Sequence, residues 1–388
     1  MAYHAKLSAS GASRWMRCPG SVAAEEGLPD SSSPAALEGT KAHAWGALCL
    51  ETGKPARDLI GTPVDVDQDE HWVIEDDGEM ARYVDEYVRQ LHALNGGAHH
   101  AQVETAVPIS HITGEEGASG TADYIAVEFA NGGVTVRVHD LKYGRGVRVE
   151  AEDNPQLLMY ASGALEQIDW LLDGYPPERV QVEMYIHQVR LDHLPEWRLS
   201  LPQLRQWALL LSERAGLTQD PGAPRVPGET QCKFCKARTS CPALLKHVSD
   251  TVAEPLPEEV EAVAEFLPRL KLIRDWCATV EARAVELLQG GQEVPGYKLV
   301  EGRKTRKWGP SEEEVLEVFK EVGLRQDELY KTEMLSPAQI EKLLPKDEWQ
   351  ELQQELVVFA PGKPTIAPDS DKRPAVNSAE SLGFANID

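Results

Sequence analysis

A carboxylate and an ammonium lie two positions apart in the segment HDLKYG, residues 139–144, directly after the alternating run GGVTVRV. Residues i and i+2 of a β-strand share a face, so Asp140 and Lys142 are predicted to point the same way, while His139 and Leu141 are predicted to point away from them into the opposite layer. Upstream, the segment GTADYIAV places Asp123 at the start of a predicted neighbouring strand. We therefore expect the carboxylates of Asp123 and Asp140 to meet at adjacent strand ends.

Two adjacent carboxylates repel each other, and a divalent cation between them relieves that repulsion. Such a cation lowers the pKa of a water molecule and offsets the charge of a phosphate, while a nearby lysine orients or helps deprotonate the water. The pattern is therefore typical of metal-assisted phosphodiester hydrolysis. The alternative interpretation is that Asp140 and Lys142 form a surface ion pair at the end of a strand, because a three-residue pattern also recurs by chance.

Further polar side chains fall on predicted elements around these strands. His43 lies in the predicted helix EGTKAHAWG, and Gln156 and Tyr160 of NPQLLMY are i and i+4 on one helix face, where Gln156 can hydrogen-bond a phosphate or a base. The structural alternatives are a packing histidine, a surface glutamine and a core tyrosine. Glu104 in QVETAVP is either an outer-shell carboxylate of the site or an exposed strand residue.

Four of the six cysteines have the spacing of a metal or cluster site. Cys232, Cys235 and Cys241 supply three thiols, one short of the four that close a tetrahedral zinc site or hold an iron–sulfur cluster. Cys18 in RWMRCPGS is the natural fourth ligand, although it lies more than 200 residues upstream. Unrelated buried cysteines are the alternative.

Hydrophobic periodicity predicts the elements that must position these residues. A short serine-capped helix stops at Cys18-Pro19. The remaining elements are helices over 35–52, 76–94, 154–172 and 201–216 and strands over 102–109, 121–129, 133–142 and 180–189. This order favours an α/β (α+β) fold with a central mixed β-sheet flanked by helices. Residues 254–290 are predicted to form long amphipathic helices, and Cys49 and Cys277 are expected to be core residues of their helices.

The chain has 388 residues and a formal net charge of −24, with 42% hydrophobic and 26% charged residues. This composition is ordinary for a soluble globular protein, and the charge argues against a generic polyanion binder. The longest apolar runs fall short of the roughly 20 residues that span a bilayer, and the start MAYHAKLSAS lacks the apolar core of a signal peptide. We expect a cytoplasmic protein with no membrane partner.

Contacts with DNA are expected only at local basic patches, since the overall charge would repel it. The patches contain Arg145 and Arg148 in KYGRGVRVE, Lys298, Arg303, Lys304, Arg306 and Lys307 beside the stacking aromatic Trp308 in KLVEGRKTRKW, and Lys372 and Arg373 in the C-terminal segment. The alternative for each patch is an ordinary solvated face.

Four motifs in chain order resemble the nuclease motifs of the PD-(D/E)xK superfamily and of its RecB-like branch. They are His43, Gly120-x-x-Asp123, Asp140-x-Lys142 and Gln156-x-x-x-Tyr160. Ala122 stands before Asp123 where many members have proline. The resemblance implies a restriction-endonuclease-like core in which His43, Asp123, Asp140 and the Leu141 carbonyl bind Mg²⁺ or Mn²⁺. It also implies that Lys142 acts on the water and that Gln156 and Tyr160 belong to the catalytic set.

The arrangement of one upstream and three downstream cysteines resembles the iron–sulfur staple of AddB-type and CRISPR-associated RecB-like nucleases. The resemblance implies a structural 4Fe-4S cluster held by Cys18, Cys232, Cys235 and Cys241. A four-cysteine Zn²⁺ site remains the alternative, because spacing alone does not separate the two.

Three regions are predicted. The resemblance, which extends over about residues 7–245, implies a RecB-like nuclease domain over 1–250, periodicity predicts a mainly helical accessory region with a basic hairpin over 251–360, and the Pro-, Ser-, Asp- and Lys-rich composition predicts an extended tail over 361–388. The whole chain also looks like an uncharacterised phage and prophage family encoded beside single-strand annealing or binding proteins. That implies a metal-dependent exonuclease that resects DNA ends for recombination in a bacterial host cell. The alternatives are a catalytically inactive DNA-binding or assembly subunit and a zinc-stapled interaction protein; the oligomeric state stays open.

Overall fold

A computed structural model describes residues 5–29, 34–67, 70–75, 79–255 and 258–298. Several residues that were predicted to contact DNA lie outside the described residues. They are Arg303, Lys304, Arg306, Lys307, the aromatic Trp308, and Lys372 and Arg373 of the tail. None of the described helices has the length and apolarity needed to cross a membrane.

The described strands form an antiparallel hairpin and a five-stranded mixed sheet. In chain order they are β1 (Pro63–Asp67), β2 (Glu70–Val73), β3 (His100–Pro108), β4 (Ser119–Ala130), β5 (Gly133–Leu141), β6 (Val180–His187) and β7 (Glu196–Ser200). The mixed sheet has the order β3-β4-β5-β6-β7, with β5 and β6 parallel and the other neighbours antiparallel. The predicted central mixed sheet is confirmed, whereas β1, β2 and β7 were not predicted.

Helices flank the sheet on both faces. They are α1 (Ala12–Trp15), α2 (Ser21–Glu25), α3 (Pro34–Thr52), α4 (Met80–Leu94), α5 (Ser110–Thr113), α6 (Pro155–Gln167), α7 (Asp169–Leu172), α8 (Leu201–Leu217), α9 (Glu229–Lys233), α10 (Pro242–Ala253) and α11 (Val260–Gln289). The parallel strands β5 and β6 are joined through α6 and α7, which is the long crossover that a parallel pair requires.

Strand alternation divides the apolar residues between two core layers. On β5, Val134, Val136 and Val138 pack in a layer shared with α1, α6 and α8. Leu141 packs in a second layer shared with α3 and α4. Asp140 is two residues after Val138 and therefore lies on the same side of the sheet as α6. Asp140 and Leu141 thus lie on opposite faces, as predicted.

Three local predictions were wrong. Helix α1 has Gly11 at its N-cap and no side-chain cap, so the expected serine cap does not form. The described residues between 254 and 290 contain one long helix, α11, instead of several, and this helix continues through Pro268. Cys277 is exposed because Leu272 and Thr279 are the buried residues of α11, whereas Cys49 is buried in the second core layer as expected.

Candidate metal centre

One imidazole and two carboxylates converge at the edge of the sheet. His43 comes from α3, Glu104 from β3 and Asp123 from β4, and one ligand atom of each lies within 4.8 Å of the others. The Nδ1 atom of His43 is 3.3 Å from Asp123 Oδ1 and 3.6 Å from Glu104 Oε1. Within the described part of the chain, this is the group of His, Cys, Asp or Glu side chains spaced to hold a metal ion.

Glu104 reaches the group because the backbone of β3 is irregular at that residue. The β3–β4 ladder pairs every residue of β3 except Glu104, whose place in the register is opposite Asp123. Its φ of 41° lies in the left-handed region, which a non-glycine residue rarely occupies in a strand. Such a conformation costs on the order of 1–3 kcal/mol and is found preferentially at functional sites. Position along the sequence gave no signal of this local distortion.

Asp140 lies beside this group and binds a second set of side chains. The Lys142 ammonium is 2.8 Å from Asp140 Oδ2 and donates to Gln156 Oε1 at 2.9 Å. The Gln156 amide donates to Asp140 Oδ1 and to the Tyr160 hydroxyl, both at 3.1 Å. The predicted shared face of Asp140 and Lys142 and the predicted i, i+4 contact of Gln156 with Tyr160 are therefore confirmed.

The backbone of β5 joins the two sets of side chains. The Leu141 amide donates to Asp123 Oδ2 at 2.5 Å, which fixes the orientation of that carboxylate. The spacing of the ligand atoms places Glu104 rather than Asp140 in the close group with His43 and Asp123. The sequence had left Glu104 open between an outer-shell carboxylate and an exposed strand residue.

Two local features of the sequence place Gln156 and Tyr160. The Asn154 side chain caps α6 by accepting from the amides of Gln156 and Leu157, and Pro155 occupies the first turn, where its missing N–H costs nothing. A Cβ atom at Gly120 would come within 2.8 Å of the Tyr160 ring. The glycine of the GxxD pattern is therefore required by the tyrosine of the QxxxY pattern.

The charges of the group are strongly coupled. Burial disfavours a charged His43, but attraction to Asp123 and the hydrogen bonds that the imidazole donates to Asp123 and Glu104 raise its pKa well above the ordinary value. Burial also opposes ionisation of Asp123, yet His43, the Leu141 amide and Lys142 lower its pKa. Burial, together with repulsion from Asp123, raises the pKa of Asp140 despite Lys142. A positive charge is thus held between Asp123 and Glu104.

His139 lies on the opposite face of β5, as predicted, and belongs to a buried histidine pair. Its Nδ1 atom is 2.9 Å from Nε2 of His187 on β6, and its ring stacks on Tyr185 at a centroid distance of 4.9 Å. Burial lowers the pKa of His139 well below the ordinary value and that of His187 to about 3. Both imidazoles are therefore neutral near pH ~7.

The hydrogen bonds of this pair have one consistent direction. A carboxylate only accepts, so the Gln90 amide donates to Glu86 at 2.8 Å and its oxygen accepts from His187 Nδ1 at 2.8 Å. His187 Nε2 then accepts from His139 Nδ1, and His139 Nε2 accepts from the Asn95 amide at 3.1 Å. This chain attaches α4 to β5 and β6 directly behind the candidate site.

Acid should weaken the fold through His139 and His187. Their folded pKa values lie below the unfolded value of about 6.5, so the stabilisation is complete above pH ~6.5 and is lost as the pH falls towards about 3, the pKa of His187. Each histidine contributes a slope of up to about 1.4 kcal/mol per pH unit to the free energy of unfolding. Urea unfolding at several pH values should show a smaller slope for His187→Gln than for the wild type. The same substitution at exposed His92 on α4 should leave the slope unchanged, and an unchanged slope in His187→Gln would contradict the assignment.

The four predicted cysteine ligands line one pocket. Cys18 follows α1, Cys232 lies in α9, and Cys235 and Cys241 follow it up to the start of α10. No three of their sulfur atoms lie within 4.8 Å of one another among the described residues. Burial raises the pKa of Cys18, Cys232 and Cys235, that of Cys235 to about 12, so a ligand that binds there must displace protons.

Protein contacts already attach the N-terminal segment to the cysteine loop. The Val226 amide donates to Cys18 Sγ at 3.2 Å, and the Gly20 amide donates to the Pro224 carbonyl at 3.0 Å. A Cβ atom at Gly20 would lie 2.4 Å from the Ala223 carbonyl oxygen, so this close approach requires glycine. These contacts hold Cys18 beside the loop that leads to Cys232.

The described basic residues differ in their surroundings. Arg145 forms an ion pair with Glu79. Arg148 is exposed, and within the described part of the chain no ion pair or hydrogen bond of its side chain is seen. Both lie in the segment between β5 and α6, directly after Lys142.

Comparison with known proteins gives one family and one solved structure of note. The model of a family described as "Protein of unknown function (DUF2800)" matches residues 4–374. A solved structure titled "Crystal structure of SSO0001" is 18% identical, and the match covers 60% of this chain and 84% of that one with a TM-score of 0.24. At that TM-score the likeness supports no conclusion.

Proposed function

The chain belongs to the family described as a protein of unknown function (DUF2800), and we propose that it is a metal-dependent deoxyribonuclease that hydrolyses phosphodiester bonds at DNA ends. The observation that carries the proposal is the convergence of His43, Glu104 and Asp123 beside the ion pair of Asp140 and Lys142. The motifs involved are those that resemble the RecB-like branch of the PD-(D/E)xK nucleases.

The donor set fits a hard divalent cation. Carboxylate oxygens suit Mg²⁺ and Mn²⁺, and one imidazole is compatible with Mn²⁺. His43, Glu104 and Asp123 would hold the cation, with Asp140 and the Leu141 carbonyl as the further ligands that the resemblance implies. When bound, the cation would offset charge on the scissile phosphate and lower the pKa of the attacking water.

The chain's own residues then have separate tasks. Asp140 holds the Lys142 ammonium at 2.8 Å, so this cation points to the same edge of the sheet as the metal-binding group. Lys142 would orient the attacking water, and Gln156, which contacts both residues, would fix their rotamers. Tyr160 supports Gln156 from the next turn of α6. His43 must release its proton before it can bind a cation, because a protonated imidazole has no free lone pair.

We propose that the cysteine pocket holds a 4Fe-4S cluster rather than Zn²⁺. Tetrahedral zinc with bonds of about 2.3 Å brings thiolate sulfurs to about 3.8 Å from one another. A cubane cluster binds each cysteine through a different iron, so its thiolates stand further apart. Four cysteines that line one pocket, with no three sulfurs within 4.8 Å, match the wider spacing. The amide of Val226 at 3.2 Å from Cys18 Sγ would stabilise a thiolate there.

The remaining parts of the proposal concern the setting. DNA would contact Arg148, Arg145 and the basic residues 303–307, and the exonuclease would act in the cytoplasm of a bacterial host during phage recombination. A single-strand annealing or binding protein would be its partner. The support for this setting is the resemblance of the whole chain to the phage and prophage family.

An end-labelled linear DNA tests the proposal. Anaerobically purified protein should shorten the labelled strand with Mg²⁺ or Mn²⁺ and leave it intact with EDTA. Covalently closed circular DNA of the same sequence should resist, because it offers no end. Absence of cleavage with either metal, in protein that retains its cysteine-bound group, would refute the nuclease assignment.

Glu104 provides a prediction that the sequence patterns alone did not make. Glu104→Gln should raise the Mn²⁺ concentration needed for half-maximal cleavage by about 10- to 100-fold, because it removes a charged ligand atom. Glu104→Gly should lose activity as well, yet it should unfold at higher denaturant because glycine adopts φ 41° without strain. The exposed Glu116 is the matched control for Glu104→Gln. Unchanged metal dependence in Glu104→Gln would remove this residue from the ligand set.

A further inference from the structure

The loop between Cys232 and Cys235 exposes a large aromatic side chain. Phe234 is 75% exposed, although it lies between two residues of the cysteine pocket and directly after α9. Exposing most of a phenyl ring forgoes about 1.5–3 kcal/mol that burial would provide. A single exposed apolar side chain is common on protein surfaces, so the residues around the ring decide whether it can bind a ligand.

The surroundings of Phe234 are basic, in contrast to the chain as a whole. The Lys233 ammonium lies 5.0 Å from the centre of the ring, and the Arg14 guanidinium donates to the Phe234 carbonyl at 3.5 Å. In residues 6–26 and 229–241, which form the two packed segments, six cations face three carboxylates: Lys6, Arg14, Arg17, Lys233, Lys236 and Arg238 against Glu25, Glu26 and Glu229.

Each of these three carboxylates already has a cationic partner. Glu25 pairs with Arg14 at 2.8 Å, Glu26 with Lys6 at 3.0 Å, and Glu229 with Lys271 at 3.0 Å. The surplus charge of these two segments is therefore positive. A ring with a π-face and adjacent cations has the chemistry that binds single-stranded nucleic acid, by stacking on a base and attracting its phosphates.

The same N-terminal segment connects this ring to the candidate metal centre. A Cβ atom at Gly120 would contact both Tyr160 and Ala9, so the segment before α1 lies against the QxxxY helix. Arg14, five residues later, contacts the Phe234 carbonyl.

Trp170 is a second exposed aromatic side chain, but its surroundings do not suit nucleic acid. It is 69% exposed and lines a groove in which three carboxylates, those of Glu166, Asp169 and Asp173, outnumber the one arginine, Arg205, and His111 pairs with Glu166. Those carboxylates would repel a phosphate backbone. Phe234 and Trp170 are therefore two exposed aromatic side chains in opposite electrostatic settings, and Trp170 is a matched control.

We propose that Phe234 is a stacking platform for a base of single-stranded DNA beside the cysteine pocket. The inference rests on the proposed function for the identity of DNA as substrate. Phe234 holds the strand that leads to or from the metal centre, and Lys233 and its basic neighbours bind the phosphates on either side. The contact is independent of base identity, because every base has a π-face.

Binding of a fluorescein-labelled oligothymidine, measured by anisotropy without divalent cation, tests the proposal in protein that carries its cysteine-bound group. Phe234→Ala should weaken binding by about 5- to 150-fold, the range for loss of one base–aromatic stack. Phe234→Trp should bind as the wild type does, and Phe234→Leu, which keeps the apolar bulk without the π-face, should resemble the alanine variant. Trp170→Ala should have no effect. The iron content of each variant shows that the pocket is intact.

An oligonucleotide that lacks bases at every position separates stacking from charge. Wild type and Phe234→Ala should bind it equally weakly. Equal affinity of the two for oligothymidine, or an equal loss on both oligonucleotides, would overturn the stacking role. Cleavage of end-labelled DNA is measured separately. A wild-type protein that binds oligothymidine but does not cut DNA would refute the nuclease assignment without contradicting the stacking role of Phe234. A nuclease whose binding is unaffected by Phe234→Ala refutes the platform alone.

Discussion

Replacing Asp140 with asparagine should reduce the cleavage of end-labelled DNA by roughly 10³-fold, because one carboxylate serves both the cation and the lysine. Asp140 is 1% exposed and lies 2.8 Å from the Lys142 ammonium. Asparagine keeps the shape of the side chain but removes the charge that holds Lys142. It also places a neutral amide where the resemblance expects a metal ligand.

The same substitution should not lower stability. Burial and the Asp123 charge raise the pKa of the Asp140 carboxyl above its unfolded value, so the ionised carboxylate destabilises the fold at neutral pH. A neutral side chain relieves that repulsion, and we expect the urea midpoint of Asp140→Asn to equal or exceed that of the wild type. This combination of lost activity and retained stability is typical of a functional residue.

Asp169→Asn is the matched control, since Asp169 is exposed in the acidic groove and belongs to neither set of the candidate site. It should cut DNA at the wild-type rate. Equal activity of Asp140→Asn and the wild type would refute the site. A loss of activity that is accompanied by unfolding of Asp140→Asn would make the residue structural rather than catalytic.

Replacing Cys18 with serine should destabilise the protein by about 5 kcal/mol and remove the brown colour of a cluster. A ligand that joins Cys18 to Cys232 closes a loop of more than 200 residues, and loop-closure entropy of that size amounts to about 5 kcal/mol at 25 °C. For a domain of about 250 residues this corresponds to a fall of roughly 10–20 °C in the thermal midpoint. Thermal unfolding and visible absorbance of anaerobically purified protein measure both effects.

Cys277→Ser provides the control because Cys277 is exposed on α11. It should retain the absorbance and the thermal midpoint of the wild type. If the wild-type protein is colourless and contains zinc, the pocket is the alternative four-cysteine zinc site rather than a cluster site. Equal stability and metal content in Cys18→Ser and the wild type would show that Cys18 binds nothing in the pocket.

Much of the candidate site was accessible from the sequence because its rules are local. The period of two on β5 placed Asp140 and Lys142 on one face and His139 on the other. The helical period placed Gln156 beside Tyr160. These relations extend over at most four residues, so backbone geometry alone determines them once the element type is known.

The contribution of Glu104 was decided only by the tertiary structure. It depends on the register of β3 against β4 and on the left-handed backbone at one residue, and neither follows from local periodicity. Cys277 was predicted to be a core residue but is exposed, for a related reason. An amphipathic pattern indicates that a helix has an apolar face, but the packing partner decides whether that face is covered.

The sequence by itself therefore determined the mixed sheet, the facing of its polar residues and the spacing of its cysteines. Only the tertiary structure decided which carboxylates converge on His43, how the buried chain through His139 and His187 attaches α4 to the sheet, and where Cys18 meets the Val226 amide 208 residues away. The physical reason is range. Periodicity fixes directions within one element, whereas distances between elements depend on long-range packing and on strain accepted at a single residue.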